Sequence, residues 1–484
     1  MKAHGEIPFI ADLEVPLCVD LDGTLIKSDL LVESFFLLIK KNPLAILQIP
    51  AWLFRGKAYL KERIAMQVDI EADLLPYDLA LLARLRLEKE QGRALVLVTA
   101  SHRKFADDVS AHLMLFDEVY ATEGVINLSA ERKRNCLIER FGKHGFDYVG
   151  NESADLPVWA AARESWLVDA SPSIRRAAGC VATIATEFQK KSHYFASLTK
   201  ALRMHQWLKN ILIFVPLIAA HKINDLALMA DAILAFVAFG LCASSVYLLN
   251  DLLDLSADRK HSRKRDRPFA AGTLPVSHGL LLIPSLLVTA VLLSAGFLPM
   301  VFLETLGAYY LITLVYSFWA KEKVLVDILF LTGLYTMRLI TGAAATGIEL
   351  SFWLLAFSVF LFFSLALVKR YSEMLSTQQA GRKEATGRGY VVNDMSLIQS
   401  MGITSGYMAV LVLALYINSP DIRQLYEHPK VLWALCPVLL FWISRVWVKT
   451  FRGEMHYDPV VFAAKDRISQ MIAIIFAVVF LLGM

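Results

Sequence analysis

The spacing of apolar residues changes character near residue 200. Before it, short apolar runs such as PLCVDLDG (16–23) and ALVLVTAS (94–101) alternate with charged stretches. That is the pattern of an α/β domain with buried parallel strands and amphipathic helices. After it, apolar segments of about twenty residues recur between short polar loops, long enough to cross a bilayer as helices. Nine spans are predicted, at 208–226, 230–250, 279–297, 299–318, 325–346, 352–369, 398–417, 431–449 and 468–484. The expected architecture is therefore an amino-terminal Rossmann-like α/β domain (1–195) and a carboxyl-terminal all-α polytopic membrane domain (196–484). One stretch of the first part, SFFLLIKKNPLAILQIPAWLF (34–54), is apolar but interrupted by Pro43 and Pro50. It makes a poor span and is expected to form a cap or to lie against the bilayer.

Composition agrees with this division. The chain is 56% hydrophobic and its mean hydropathy is +0.49, too apolar for an ordinary soluble protein. The net charge of +4 comes from loops beside membrane spans and does not point to nucleic acid. Basic residues follow the second, fourth, sixth and eighth spans: the 259–267 run, Lys321 and Lys323, Lys369 to Arg388, then Arg452, Lys465 and Arg467. Positive loops stay inside, so the first domain and the reactive loops are expected on the cytoplasmic side of a bacterial-type inner membrane. Nine crossings would then carry the carboxyl terminus to the opposite side. The segment MKAHGEIPFIADLEV lacks the apolar core of a cleavable signal peptide. Cys18, Cys136, Cys180, Cys242 and Cys436 show no ligand spacing and read as packing residues.

The most informative polar cluster follows the second span, in NDLLDLSADRKHSRKRDRPFAAG. On a continuing helix Asp251, Asp254 and Asp258 would share one face, with Asn250 beside them. Carboxylates at the mouth of a span suit Mg2+ held with substrate phosphates. The basic residues Arg259, Lys260, Arg263, Lys264, Arg265 and Arg267 suit a phosphorylated substrate or anionic lipid. The wording NDxxDxxxD, followed by Lys264 to Gly272, resembles the first aspartate-rich motif of the UbiA superfamily of membrane prenyltransferases.

Members that use prenyl diphosphates usually carry a second DxxxD motif. Here Asp327 is followed four residues later by Leu331, which points to a different donor. Segments HQWLKN (with Lys209 and Asn210), Tyr316 to Lys323, Arg338, Lys369-Arg370-Tyr371-Ser372-Glu373, Arg388-Gly389-Tyr390 and Asp458-Pro459 resemble the branch that includes decaprenyl-phosphate phosphoribosyltransferases. The resemblance implies phosphoribosyl pyrophosphate as donor and a polyprenyl phosphate as acceptor. Asn250, Asp251, Asp254 and Asp258 would then hold Mg2+ on the donor pyrophosphate. Lys264, Arg265, Arg267 and Lys321 would meet the ribose 5-phosphate or leaving group, and Tyr316, Lys369 and Arg370 the lipid phosphate; Lys209, Asn210, Asp327, Arg338 and Glu373 complete the expected substrate contacts.

In the first domain an apolar strand runs into Asp20-Leu21-Asp22-Gly23-Thr24-Leu25. Two carboxylates at a strand end before a glycine turn suit magnesium-dependent phosphoryl transfer. DLDGTL resembles the nucleophile motif of haloacid dehalogenase (HAD)-type phosphatases. The resemblance implies that Asp20 attacks phosphorus, Asp22 shuttles the proton, Thr99 binds a phosphoryl oxygen and Lys133 balances charge. The chain departs at the fourth motif, where Asn151 replaces an aspartate after Gly150; Glu152 or Asp155 would compensate as metal ligands. Together the two resemblances imply a transferase for lipid-linked pentose and cell-envelope glycan synthesis, with a fused domain that removes the ribose 5-phosphate. The competing readings are an aromatic prenyltransferase of quinone synthesis, a transporter or lipid-binding protein, and a phosphatase fold kept as a scaffold.

Overall fold

The computed structural model describes residues 15–483 apart from 125, 190–193, 262–263, 382–388, 421–425 and 456–457. Arg263, Arg382, Lys383 and Arg388 lie outside the described residues. Packing divides the chain into two compact units, Met1–Leu202 with Tyr247–Ile283, and Arg203–Val246 with Pro284–Met484.

The first unit is built on a six-stranded sheet of β1 (Leu17–Val19), β2 (Leu95–His102), β3 (Glu118–Thr122), β4 (Asp147–Gly150), β5 (Ser165–Val168) and β6 (Ile184–Phe188). The order is β3-β2-β1-β4-β5-β6 and every neighbouring pair is parallel. Alternation along the strands feeds two cores. Leu17, Val19, Leu95 and Leu97 pack into one, Cys18, Val96 and Val98 into the other. Chain order reverses at β1, so the crevice for a ligand lies at the carboxyl ends of β1, β2 and β4, where Asp20, Thr99 and Asn151 stand. The broken apolar stretch is no span. After the helix Leu30–Lys41, Pro43 begins a 3-10 turn (Pro43–Leu47) and Pro50 sits in the first turn of Ile49–Phe54, positions where proline's missing N–H costs nothing.

Among the described residues seven helices are long and apolar enough to cross a membrane: Leu226–Leu253, Val276–Phe297, Met300–Phe318, Val326–Thr346, Phe352–Gln379, Val392–Ile417 and Val431–Phe451. An eighth is counted if Pro459–Lys465 and Arg467–Gly483, bent by 83°, form one span. The difference from nine lies at 208–226, which folds as a 3-10 segment, Met204–Phe214, and a short helix, Val215–Ala219. Its backbone rests on the helix Val326–Thr346 at Gly342, where an added Cβ would stand 2.1 Å from the Ile213 carbonyl oxygen. Gly402 similarly admits the Trp447 ring, whose Nε1 donates to Ser364 Oγ at 3.1 Å. Small residues thus set close packing among the spans.

Candidate active sites

Asp20 leaves β1 buried, and Lys133 Nζ donates to its Oδ1 at 2.6 Å. The helix Ala130–Phe141 supplies that lysine, which also donates to the Tyr148 hydroxyl at 2.9 Å. Thr24 Oγ1 lies 3.1 Å from both Asp20 Oδ2 and Asn151 Oδ1. Asp22 accepts from Leu30 N at 2.8 Å and from Ser101 Oγ at 2.6 Å, with Thr99 Oγ1 at 3.4 Å. Burial pushes Asp20 up to about 6 against the pull of Lys133. Burial, reinforced by the nearby Asp29, pushes Asp22 up to about 7, near the value that suits a proton shuttle at neutral pH. For Lys133, burial works against the ammonium, but Asp20 and Asp155 outweigh it and hold its pKa above the usual lysine value.

Asp155 and Asn151 divide the work of the fourth motif. Asp155 Oδ2 accepts the backbone N–H groups of Asn151 and Glu152, and its Oδ1 accepts the Tyr148 hydroxyl at 2.8 Å. It braces the loop. Asn151 lies over Gly23, whose φ of +73° and open α-carbon admit the amide; a Cβ there would stand 2.3 Å from Asn151 Nδ2. Among the described residues no three acidic, histidine or cysteine side chains converge on a metal position. Magnesium nevertheless takes few protein oxygens and keeps several waters, and Asp20 Oδ2 and Asn151 Oδ1, both within reach of Thr24, fit that donor set.

The aspartate-rich motif does not continue as one helix. Leu226–Leu253 ends, Asp254 breaks the backbone, and Leu255–Lys260 follows. Asp251 and Asp258 nonetheless converge on one guanidinium nitrogen: Arg267 Nη1 donates to Asp251 Oδ1 at 3.0 Å and to Asp258 Oδ2 at 2.6 Å. A cation already stands where these buried carboxylates meet, so the pair is suited to positive charge. Burial pushes Asp258 up to about 6, with Arg267 opposing. Asp254 pairs instead with Lys40 at 2.7 Å. Asn250 closes the turn, its carbonyl accepting Asp254 N at 3.0 Å. Lys264 and Arg265 lie exposed on a short 3-10 turn.

In the second unit Lys209 pairs with Asp458 and lies 5.5 Å from the Tyr335 ring centre. Lys369 lies within electrostatic reach of Lys209, Tyr316, Glu373 and Asp458. Arg338 donates to Asn210 Oδ1 at 3.1 Å and is ringed by Phe239, Tyr309 and Tyr335 at 5.2 to 5.5 Å. Asp327 is wholly buried, accepting Arg370 Nε at 2.5 Å and the Tyr390 hydroxyl at 2.5 Å, while Arg370 also pairs with Glu373. Leu331 packs against the apolar core. Lys321 lies half-buried in the turn Ala320–Glu322.

Several working side chains escaped the sequence reading. Ser101 stands two positions beyond Thr99 on the same strand face, a period-2 signal that could have found it. Glu33 and Arg259 carried no such signal. They are 226 residues apart yet form a buried two-pronged pair at 2.6 and 2.9 Å, with Ser28 donating to Glu33.

Long apolar helices joined to an α/β sheet with a phosphatase-type crevice define an integral multi-pass membrane protein with a hydrolase-like domain. Residues 211–454 match the UbiA prenyltransferase family and residues 17–163 the haloacid dehalogenase-like hydrolases. The chain is 37% identical over 479 residues to an uncharacterized protein, y4nM, of Sinorhizobium fredii, covering 98% of this chain and 92% of that one. It is 35% identical over 272 residues to nodulation protein NoeC of Azorhizobium caulinodans, covering 56% and 88%. Over 216 residues it is 35% identical to a decaprenyl-phosphate phosphoribosyltransferase of Corynebacterium glutamicum, covering 44% and 65%. The chain belongs to the UbiA prenyltransferase family and carries an HAD-like domain ahead of the family region.

Proposed function

We propose that residues 196–484 transfer phosphoribosyl from phosphoribosyl pyrophosphate to a polyprenyl phosphate, and that residues 1–195 remove the ribose 5-phosphate, giving a lipid-linked pentose for cell-envelope glycan synthesis. The observation that carries this reading is the retained Asp251/Asp258 pair combined with Leu331. One carboxylate cluster holds positive charge, while the second acidic motif of prenyl-diphosphate users is replaced by a core leucine. The Corynebacterium relative, a decaprenyl-phosphate phosphoribosyltransferase, supports the same substrates.

In the first step the bond from the ribose anomeric carbon to pyrophosphate breaks, and a lipid phosphate oxygen forms the new bond. Mg2+ held by Asp251 and Asp258 would neutralise charge on the departing pyrophosphate. Asn250 and Asp254 flank that pair. Lys209, Lys369 and Tyr316 present cationic and hydroxyl groups suited to a phosphate, whereas Arg370 and Asp327 hold one another in place. The lipid phosphate is already anionic, so positioning rather than a strong base carries the reaction. In the second step Asp20 attacks the 5-phosphorus, Asp22 protonates the departing ribose oxygen, and water then releases phosphate from Asp20. The basic loops support a cytoplasmic location for both sites; seven crossings would carry the chain to the other side of an inner membrane before Pro459, and an eighth would return the carboxyl terminus.

Purified protein given phosphoribosyl pyrophosphate and polyprenyl phosphate should make a pentosylated lipid in a magnesium-dependent reaction. Given a prenyl diphosphate and 4-hydroxybenzoate it should make nothing. The reverse pattern would decide for an aromatic prenyltransferase.

A further inference from the structure

The stretch between the helices Leu30–Lys41 and Lys57–Ala65 has no part in either reaction, yet it is a contiguous apolar run that is largely exposed. Residues 43–54 read PLAILQIPAWLF, with Gln48 the only polar side chain. Ala45 and Trp52 turn inward, Ile49 packs half-buried against the core, and the rest face outward: Leu44 is 71% exposed, Leu47 75% and Phe54 98%. Scattered exposed leucines need no explanation. A contiguous apolar run does, because an aqueous domain surface rarely carries one without a partner.

Two observations say what covers it. The first is place. Lys40, in the last turn of the helix Leu30–Lys41, reaches Asp254 at 2.7 Å. Asp254 directly follows the span Leu226–Leu253. The apolar stretch therefore starts three residues from a contact at the mouth of a membrane helix. The second is charge. Lys40 and Lys41 precede the stretch and Arg55 and Lys57 follow it, so the apolar face is bracketed by cations, a pattern that suits anionic lipid headgroups.

We propose that residues 43–54 are a membrane-dipping element. Their apolar face enters the interface of the bilayer that the spans cross, and Lys41, Arg55 and Lys57 meet its headgroups. The element would hold the HAD-like domain at the lipid surface, where a lipid-linked phosphate is presented. Docking rests on membership of a membrane family and on neither proposed activity, so its failure would leave the proposed reactions standing.

The test is depth. Phe54→Cys in the full chain, with the exposed Cys180 replaced by serine, carries an environment-sensitive fluorophore in nanodiscs of mixed zwitterionic and anionic lipid without polyprenyl phosphate. Gln91→Cys, in the exposed turn before β2, is the reference. The Phe54 probe should emit to the blue of the Gln91 probe and be quenched by nitroxide-bearing lipid but little by iodide. Quenching by iodide equal to that at Gln91 would overturn the proposal. Shielding from both quenchers would also overturn it, since the stretch would then be covered by protein such as a second copy.

Discussion

Asp22 shows how a single carboxyl links the fold to the chemistry. Its pKa of about 7 stands above the ordinary 3.8, chiefly through burial. Folding therefore favours the protonated form. That contribution is fully present below about pH 4 and is lost as pH rises through about 7. Asp22→Asn should consequently raise the melting temperature at pH 8 and change it little at pH 4, while slowing phosphate release by roughly 10²- to 10⁴-fold, the usual worth of a general acid. A melting temperature lowered at pH 8 would contradict the burial argument. Gly23→Ala should disturb the same site from the backbone side, because the φ of +73° disfavours a side chain and the new Cβ meets Asn151. A stability loss of about 1–3 kcal/mol is expected, with loss of phosphatase activity. Asn151→Asp should lower the magnesium concentration needed for phosphate release if the side chain touches the ion. Asp20, Asp22 and Lys133 were legible because a strand, a glycine turn and a lysine helix leave local marks. The bracing role of Asp155 was not, since it depends on which N–H groups its oxygens meet after folding.

At the scale of elements, the helix break at Asp254 separates the acids. Asp251 and Asp258 meet at Arg267, and Asp254 turns to Lys40. Asp251→Ala should abolish transfer while leaving the melting temperature within a few degrees; near-normal turnover would remove the pair from the reaction. Asp327 is expected to behave differently. It is buried between Arg370 and Tyr390, so Asp327→Ala strips the buried Arg370 guanidinium of one of its two carboxylate partners, leaving Glu373, and should cost at most about 3–5 kcal/mol, read as a fall in melting temperature in detergent. A stable variant with only a raised KM would instead make Asp327 a substrate contact. Apolar length made most spans readable. It failed at 208–226 because length and hydropathy are blind to Gly342, whose missing side chain lets the segment lie in 3-10 form against a neighbouring helix.

At the scale of the whole molecule, a UbiA region and an HAD-like domain share one chain. The parallel sheet and the recurrent spans were readable from periodicity. The pairing of Glu33 with Arg259 was not, because nothing in local sequence marks partners 226 residues apart. That pair ties the helix Leu30–Lys41, which follows the DLDGTL motif, to the short helix Leu255–Lys260 that carries Asp258. The two-step account makes one product decisive. Phosphoribosyl pyrophosphate carrying ¹⁴C in the ribose and ³²P in the 5-phosphate should be incubated with polyprenyl phosphate and either wild-type protein or Asp20→Asn. The account predicts lipid bearing ¹⁴C without ³²P from the wild type, with ³²P recovered as inorganic phosphate, and lipid bearing both labels equally from Asp20→Asn. Lipid with both labels from the two proteins alike would contradict the second step, and lipid with neither label would contradict the account as a whole.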